Sequence, residues 1–116
     1  SRGLGDVYKR QGEEFTHLKC RGMDLDKETH RVMIDGQELG HLTRQEFAIL
    51  ELLLEHPGQV FSKEAVFTYA WQEEYMGETK TLDVHISNIR KKIKKITEQE
   101  YIQTVWGIGY CMVAHL

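Results

Sequence analysis

Residues 79–96 read TKTLDVHISNIRKKIKKI, and the rest of the chain is organised around this stretch. Leu82, Ile86, Ile89, Ile93 and Ile96 recur at steps of four and three, one apolar stripe of helical period. At about 100° per residue, the opposite side carries Lys80, Val84, Asn88, Lys91 and Lys95, with Ser87 and Lys92 on its flanks. The segment therefore predicts a helix that buries one face and presents a second, basic face. Asn88 offers a donor and an acceptor together, and Val84 sets a small apolar group among polar ones. A helix built only for solubility would more naturally alternate Glu and Lys along that face.

A basic outer face is often no more than a solvated one. The contrast along the chain argues otherwise. Residues 80–95 hold six cations (Lys80, Arg90, Lys91, Lys92, Lys94, Lys95) against the single acid Asp83. Residues 36–79 hold eight Glu against Arg44 and Lys63. Positive charge concentrated on one element of an acidic chain is the footprint of a nucleic-acid partner.

The 116 residues suffice for one domain, and 41% hydrophobic content with a mean hydropathy of -0.48 fits a soluble globular protein. A net charge of -3 argues against a uniformly basic, non-specific nucleic-acid coat. No apolar run approaches a membrane span, and the N-terminus lacks the apolar segment of a signal peptide. A cytoplasmic protein with no membrane partner is expected. Cys20 and Cys111 form no CxxC pair, so two free thiols are expected, with a disulfide as the alternative. The six His residues lack metal-ligand spacing, and no metal or cofactor is expected.

Residues 1–11, SRGLGDVYKRQ, show no period and resemble an artificial or adaptor-derived leader, a native linker being the alternative. From Phe15 the pattern becomes short strands, at 15–20 and 23–26, separated by the turn-prone Arg21-Gly22. A polar turn at 26–29 precedes an alternating strand at 30–35, and Asp35-Gly36 is a strong hairpin signal before a brief strand at 37–39. A four-stranded antiparallel sheet this small needs something to pack on.

Thr43 with Glu46 three residues later forms a capping box ahead of an apolar run in which Phe47, Leu50 and Leu54 share one face. Ile49, Leu52 and Leu53 broaden that face, Glu51 and Glu55 turn to water, and His56-Pro57-Gly58 stops the helix. Residues 59–61 read as extended. Ser62 caps a second helix through Trp71, with Ala65, Val66, Tyr69 and Ala70 expected inside. With the basic helix it makes a helix-turn-helix-like pair. Strands at 101–105 and 110–113 flank Trp106-Gly107-Ile108-Gly109, where two glycines suggest positive backbone torsions. This hairpin is either a wing beside the basic helix, a closing element of the core, or both.

Three motifs in order, LTRQEFAILELLLEHPGQVFSKEAV, TLDVHISNIRKKI and YIQTVWGIGY, resemble the DNA-binding effector domain of OmpR/PhoB-type response regulators. The resemblance covers about residues 23–112. It implies an α+β fold: a winged helix-turn-helix with an N-terminal four-stranded antiparallel sheet, three helices and a C-terminal β-hairpin wing. With the aperiodic N-terminus, the expected division is 1–14 as an unordered leader and 15–116 as the winged-helix domain. It implies sequence-specific binding of double-stranded DNA for transcriptional control in a bacterial two-component system, not enzymatic activity. The third helix would lie in the major groove, and the positions matching DNA-contacting residues are Lys80, Thr81, Val84, His85, Ser87, Asn88, Arg90 and Lys91. Val84 and Asn88 are the most direct base readers, through a thymine methyl and an adenine edge. Lys80, Lys91 and Lys95 suit phosphates. Arg90, nearer the buried stripe, suits a phosphate or an acidic neighbour.

The sequence departs from the family in two places. Many relatives carry Arg where Trp106 stands, reaching the minor groove; Trp106 cannot repeat that contact and either packs on sugar or, as is expected, on the core, with Thr104 left for a phosphate. Ser87 and Asn88 occupy positions that are often Arg, so the target sequence should differ. The family's receiver domain has no counterpart in 1–14, so a fragment is the expected reading, with a truncated reading frame or a stand-alone effector as alternatives. The resemblance also implies a monomer off DNA and a tandem dimer on direct repeats. A protein-interaction module is the competing reading, through the acidic loop at 72–79 with Trp71, Glu73, Glu74 and Tyr75, which in the family can contact RNA polymerase.

Overall fold

Strand alternation decides the first layer. The computed structural model describes residues 17–73 and 80–113. Within them β1 (His17–Cys20), β2 (Met23–Asp26), β3 (Arg31–Ile34) and β4 (Gln37–Glu38) form one antiparallel sheet in sequence order. Met23, Leu25, Val32 and Ile34 alternate along β2 and β3 and point to one buried face. Asp35 and Gly36 both take positive φ, 51° and 85°, as a two-residue hairpin turn requires. Residues 1–16 lie outside the described part, and with them the leader and the start expected for β1.

Against that face lies α1 (Arg44–Glu55), opened by the expected capping box. The Glu46 N–H donates to Thr43 Oγ1 at 3.2 Å and the Thr43 N–H to Glu46 Oε1 at 2.9 Å. Phe47, Ile49, Leu50, Leu53 and Leu54 are buried, and the helix stops at His56.

α2 (Lys63–Trp71) begins at its Ser62 cap, whose hydroxyl accepts the Ala65 N–H at 3.0 Å. Of its four expected inner positions only Val66 and Ala70 are buried. Ala65 and Tyr69 are exposed, because this short helix meets the core along a narrow line. Tyr69 instead lies across to α1 and donates to Glu51 at 3.0 Å, so Glu51 is engaged within the domain.

α3 (Lys80–Lys94) is the centre of the core: Leu82, Ile86, Ile89 and Ile93 are each at most 3% exposed. It ends two residues before Ile96, which folds back in a turn with its N–H on the Ile93 carbonyl at 2.9 Å. Ile96 still packs against the core from there.

β6 (Ile102–Val105) and β7 (Gly109–Met112) form the C-terminal hairpin. β5 (Val60–Ser62), between the first two helices, pairs with β7, so the wing sheet has three strands in the order β5-β7-β6 rather than two. Gly107 has the positive φ, 81°, expected of the turn. Gly109 does not, and its role is different: a Cβ there would collide with the backbone of Phe61 across the β5–β7 pair. Cys20 and Cys111 are separate, buried, free thiols.

Candidate nucleic-acid interface

The apolar stripe of α3 faces inward, so its opposite side is turned to solvent. Thr81, Val84, Ser87 and Lys91 are exposed and Asn88 is half-buried, with Val84 at 56% exposure. At the C-terminal end Lys94, the last residue of the helix, and Lys95 just past it are exposed as well. Among the described residues, no hydrogen bond or ion pair occupies the side chains of Ser87, Asn88, Lys91, Lys94 or Lys95. An apolar methyl pair, an amide and a row of unpaired cations thus share one rigid surface. Lys80 starts the helix.

Four residues from the expected set are tied into the domain. Among the described residues Arg90 pairs with no acid. Its Nη2 donates to the Ile102 carbonyl at 2.9 Å and to Thr104 Oγ1 at 2.7 Å, fixing β6 to α3. Thr104, expected to be free for a phosphate, therefore holds Arg90 as an acceptor and keeps its own O–H to donate. His85 turns its Nδ1 to the Thr81 carbonyl at 2.7 Å and meets the edge of Trp71, with ring centroids 5.0 Å apart. Trp71 is half-buried there and stacks on Phe67 at 4.7 Å, so part of its ring is used within the domain. Glu73 is exposed, while Glu74 and Tyr75 lie outside the described residues.

Lys92 leaves the basic face. Its Nζ donates to Glu46 Oε1 at 2.6 Å and to the His41 carbonyl at 2.7 Å, although helical spacing sets it on the flank of the open surface. A long flexible stem lets the ammonium swing toward a buried partner, and Glu46 is only 2% exposed. Burial alone would push the Glu46 carboxyl up. Hydrogen bonds from Lys92 and the Thr43 N–H outweigh that, and its pKa falls below the ordinary 4.5.

Trp106 corrects a second expectation. It does not pack on the core; it stands 89% exposed at the tip of the hairpin, with Ile108 beside it at 56%. Between this tip and α3 lies a groove of about 330 Å³ lined by Lys63, Ser87, Arg90, Thr104 and Trp106. Lys63, absent from the sequence-based set, sits 3.5 Å from Asp83. The Tyr110 hydroxyl donates to the same carboxylate at 2.6 Å. Burial first, and the bond to Asp83 second, raise the Tyr110 pKa well above its usual value, so it stays a donor at neutral pH. Asp83–Tyr110 and Arg90–Thr104 together lock the wing onto α3. Only the β7 register brings Tyr110 to α3, so neither Lys63 nor this lock has a signal in sequence spacing. Lys94 is different: it lies within the counted basic run and was legible as charge.

Residues 36–112 match the family model described as "Transcriptional regulatory protein, C terminal". The chain belongs to this family, and its fold is the winged helix of OmpR/PhoB-type response-regulator effector domains. It is 36% identical over 107 residues to the transcriptional regulatory protein SrrA of Staphylococcus aureus (strain NCTC 8325 / PS 47), covering 90% of this chain and 42% of SrrA. The chain thus spans less than half the length of the curated relatives it matches. Among solved structures, the DNA-binding domain of CpxR from E. coli superposes with a TM-score of 0.74 at 32% identity, covering 84% of this chain and 96% of that one. The Klebsiella pneumoniae RstA DNA-binding domain, solved in complex with the RstA box, gives a TM-score of 0.74 at 29% identity, covering 85% and 98%. Among the described residues no helix is long and apolar enough to cross a membrane.

Proposed function

We propose that this domain binds double-stranded DNA sequence-specifically for transcriptional regulation, with α3 in the major groove and the hairpin wing alongside. The observation that carries this is the outward face of α3, where Val84 and Asn88 precede the lysines at 91, 94 and 95, unpaired among the described residues, on a helix whose other face is buried. Family membership, and a relative solved on its own DNA box, support the same reading. Val84 and Asn88 read base edges. Lys80, Thr81, Ser87, Lys91 and Lys95 contact phosphates and set the register. His85 and Arg90 act from behind, His85 by bracing the helix on Trp71 and Arg90 by holding the wing.

A major-groove reader of this size covers one half-site, so binding as a tandem pair on direct repeats about one helical turn apart is part of the proposal, with a monomer off DNA. The domain acts in the bacterial cytoplasm. Contact of the 72–79 segment with RNA polymerase is a second reading, supported by the acidity of that segment, with exposed Glu73 as its described member. The test is selection of bound duplexes from a random double-stranded pool at moderate salt, followed by sequencing. One enriched motif is the expected result. A folded protein that retains no duplex even at low salt would overturn the proposal and favour the polymerase-contact reading.

A further inference from the structure

The side of α2 marked by Lys63 and Trp71 faces α3, where Lys63 reaches Asp83 at 3.5 Å and Trp71 meets His85. Ala65, Thr68 and Tyr69 turn away from that side, toward α1 and solvent. With Leu52 of α1 and Phe61 of β5 they line a shallow groove of about 460 Å³. Leu52 and Phe61 are half-buried, Ala65 and Thr68 are exposed, and Tyr69 keeps 37% of its surface in water. Ala65 and Tyr69 have the apolar spacing of inner positions, yet the domain's own core leaves them uncovered. The floor is also fixed in place. Tyr69 donates its O–H to Glu51 at 3.0 Å. Burial first, and then Glu51 and Glu55, hold its pKa well above the usual value, so it stays a donor at neutral pH. The rim is acidic: Glu64 lines the groove, and Glu51 and Glu55 act on the Tyr69 hydroxyl at its edge. Among the described residues none of these three carboxylates pairs with a cation. Residues 45–79 contain seven Glu and one cation, Lys63, which is turned to Asp83 on the opposite side of α2.

We infer that this groove docks a basic amphipathic helix of a partner protein, its apolar stripe on Leu52, Phe61, Ala65 and Tyr69 and its lysines or arginines over Glu51, Glu55 and Glu64. The inference goes beyond the DNA-binding reading and does not depend on it. A furrow between two helices with an apolar floor suits an amphipathic helix laid along it. The nine residues of α2 span about 14 Å, room for about two to three turns of the partner. Charge selects the occupant, because an acidic rim repels an acidic or neutral-polar helix and draws a basic one. A second copy of this chain is a poor fit. Its one strongly basic helix is α3, whose apolar stripe is at most 3% exposed and so is not available to the floor. The lining residues lie outside the 72–79 segment, on the side of α2 away from α3. The domain can therefore hold this partner while α3 lies on a duplex.

The experiment titrates the full chain into a labelled Leu/Lys peptide of about four helical turns, with its leucines at steps of three and four, and follows anisotropy at low and moderate salt. A Leu/Glu peptide of the same period and a scrambled Leu/Lys peptide serve as comparisons. The basic amphipathic peptide should bind, and both comparisons should bind at least about tenfold more weakly. Ala65→Arg, which fills the floor with a cation, and Glu55→Lys, which reverses one rim charge, should each weaken the peptide about tenfold. Both positions are exposed, so both variants should melt with the parent. Equal binding of the peptide by the parent and both variants would overturn the inference. So would equal binding of all three peptides, or no binding of the basic one at low salt. Self-association of the parent that Ala65→Arg abolishes, read by sedimentation, would overturn it as well and give the groove to a second copy.

Discussion

At the scale of single residues, the face of α3 separates two kinds of contact that substitution can tell apart. Among the described residues nothing engages either amide atom of Asn88, so Asn88→Ala should relax preference at one base and cost about 1–3 kcal/mol there. Selection of duplexes with the variant would show one position losing information while the others keep theirs. Lys91 is an exposed, unpaired cation, so Lys91→Ala should weaken all duplexes alike and lower the salt slope by about 0.9. Equal loss of selectivity in both variants would mean that the assignment of roles is wrong. The period of four and three made these outward residues legible in the sequence, because a helix with one buried stripe leaves its opposite face no choice. The same spacing misplaced Lys92, since angular position says where a stem starts and not where a flexible ammonium ends.

At the scale of elements, the Glu46–Lys92 pair joins the first turn of α1 to the last turns of α3. Glu46 titrates lower folded than unfolded, so its contribution is complete above the ordinary 4.5 and is lost as pH falls through the lower folded value. Denaturant melts should therefore show stability dropping on acidification below about pH 4.5, and Glu46→Gln should flatten that dependence while keeping the cap. Lys92→Met should cost about 3 kcal/mol at neutral pH, because it strands a buried carboxylate without its cation. Gly109→Ala is predicted to destabilise by about 1–3 kcal/mol, since the new methyl must push β5 away from β7. Thermal melts would check it, and a neutral result would show that the β5–β7 pair can shift freely. Capping signals, the Asp35-Gly36 turn and the stop at residues 56–58 were all readable locally. The β5–β7 pairing was not, because it joins segments about fifty residues apart with nothing in either to name its partner.

At the scale of the whole molecule, the two ties between α3 and the wing make one rigid reading head out of two elements. Tyr110→Phe removes only the hydroxyl that donates to Asp83 and leaves that carboxylate with Lys63. It should lower stability by about 1 kcal/mol and weaken duplex binding without changing the salt slope, because no phosphate contact is lost. A steeper or shallower slope would indicate that Asp83, once released, alters the charge presented to DNA. The distribution of charge acts at the same scale. The acidic excess of α1 and the cations on α3 give an acidic protein a polarised field, which steers the basic face toward DNA and fades as salt rises.

The sequence by itself determined the element order, the caps, the buried stripe of α3 and the concentration of positive charge on that helix. Each of these follows from local periodicity or from chemistry within a few residues. Only the tertiary structure decided which side chains on that helix are free. Lys92 is drawn to Glu46, Arg90 to Ile102 and Thr104, and His85 to Trp71, while Trp106 is left in water at the wing tip. Those outcomes depend on which distant partners the fold brings within a few ångströms, and hydrogen bonds and ion pairs of that length carry no trace in the spacing of the residues that make them.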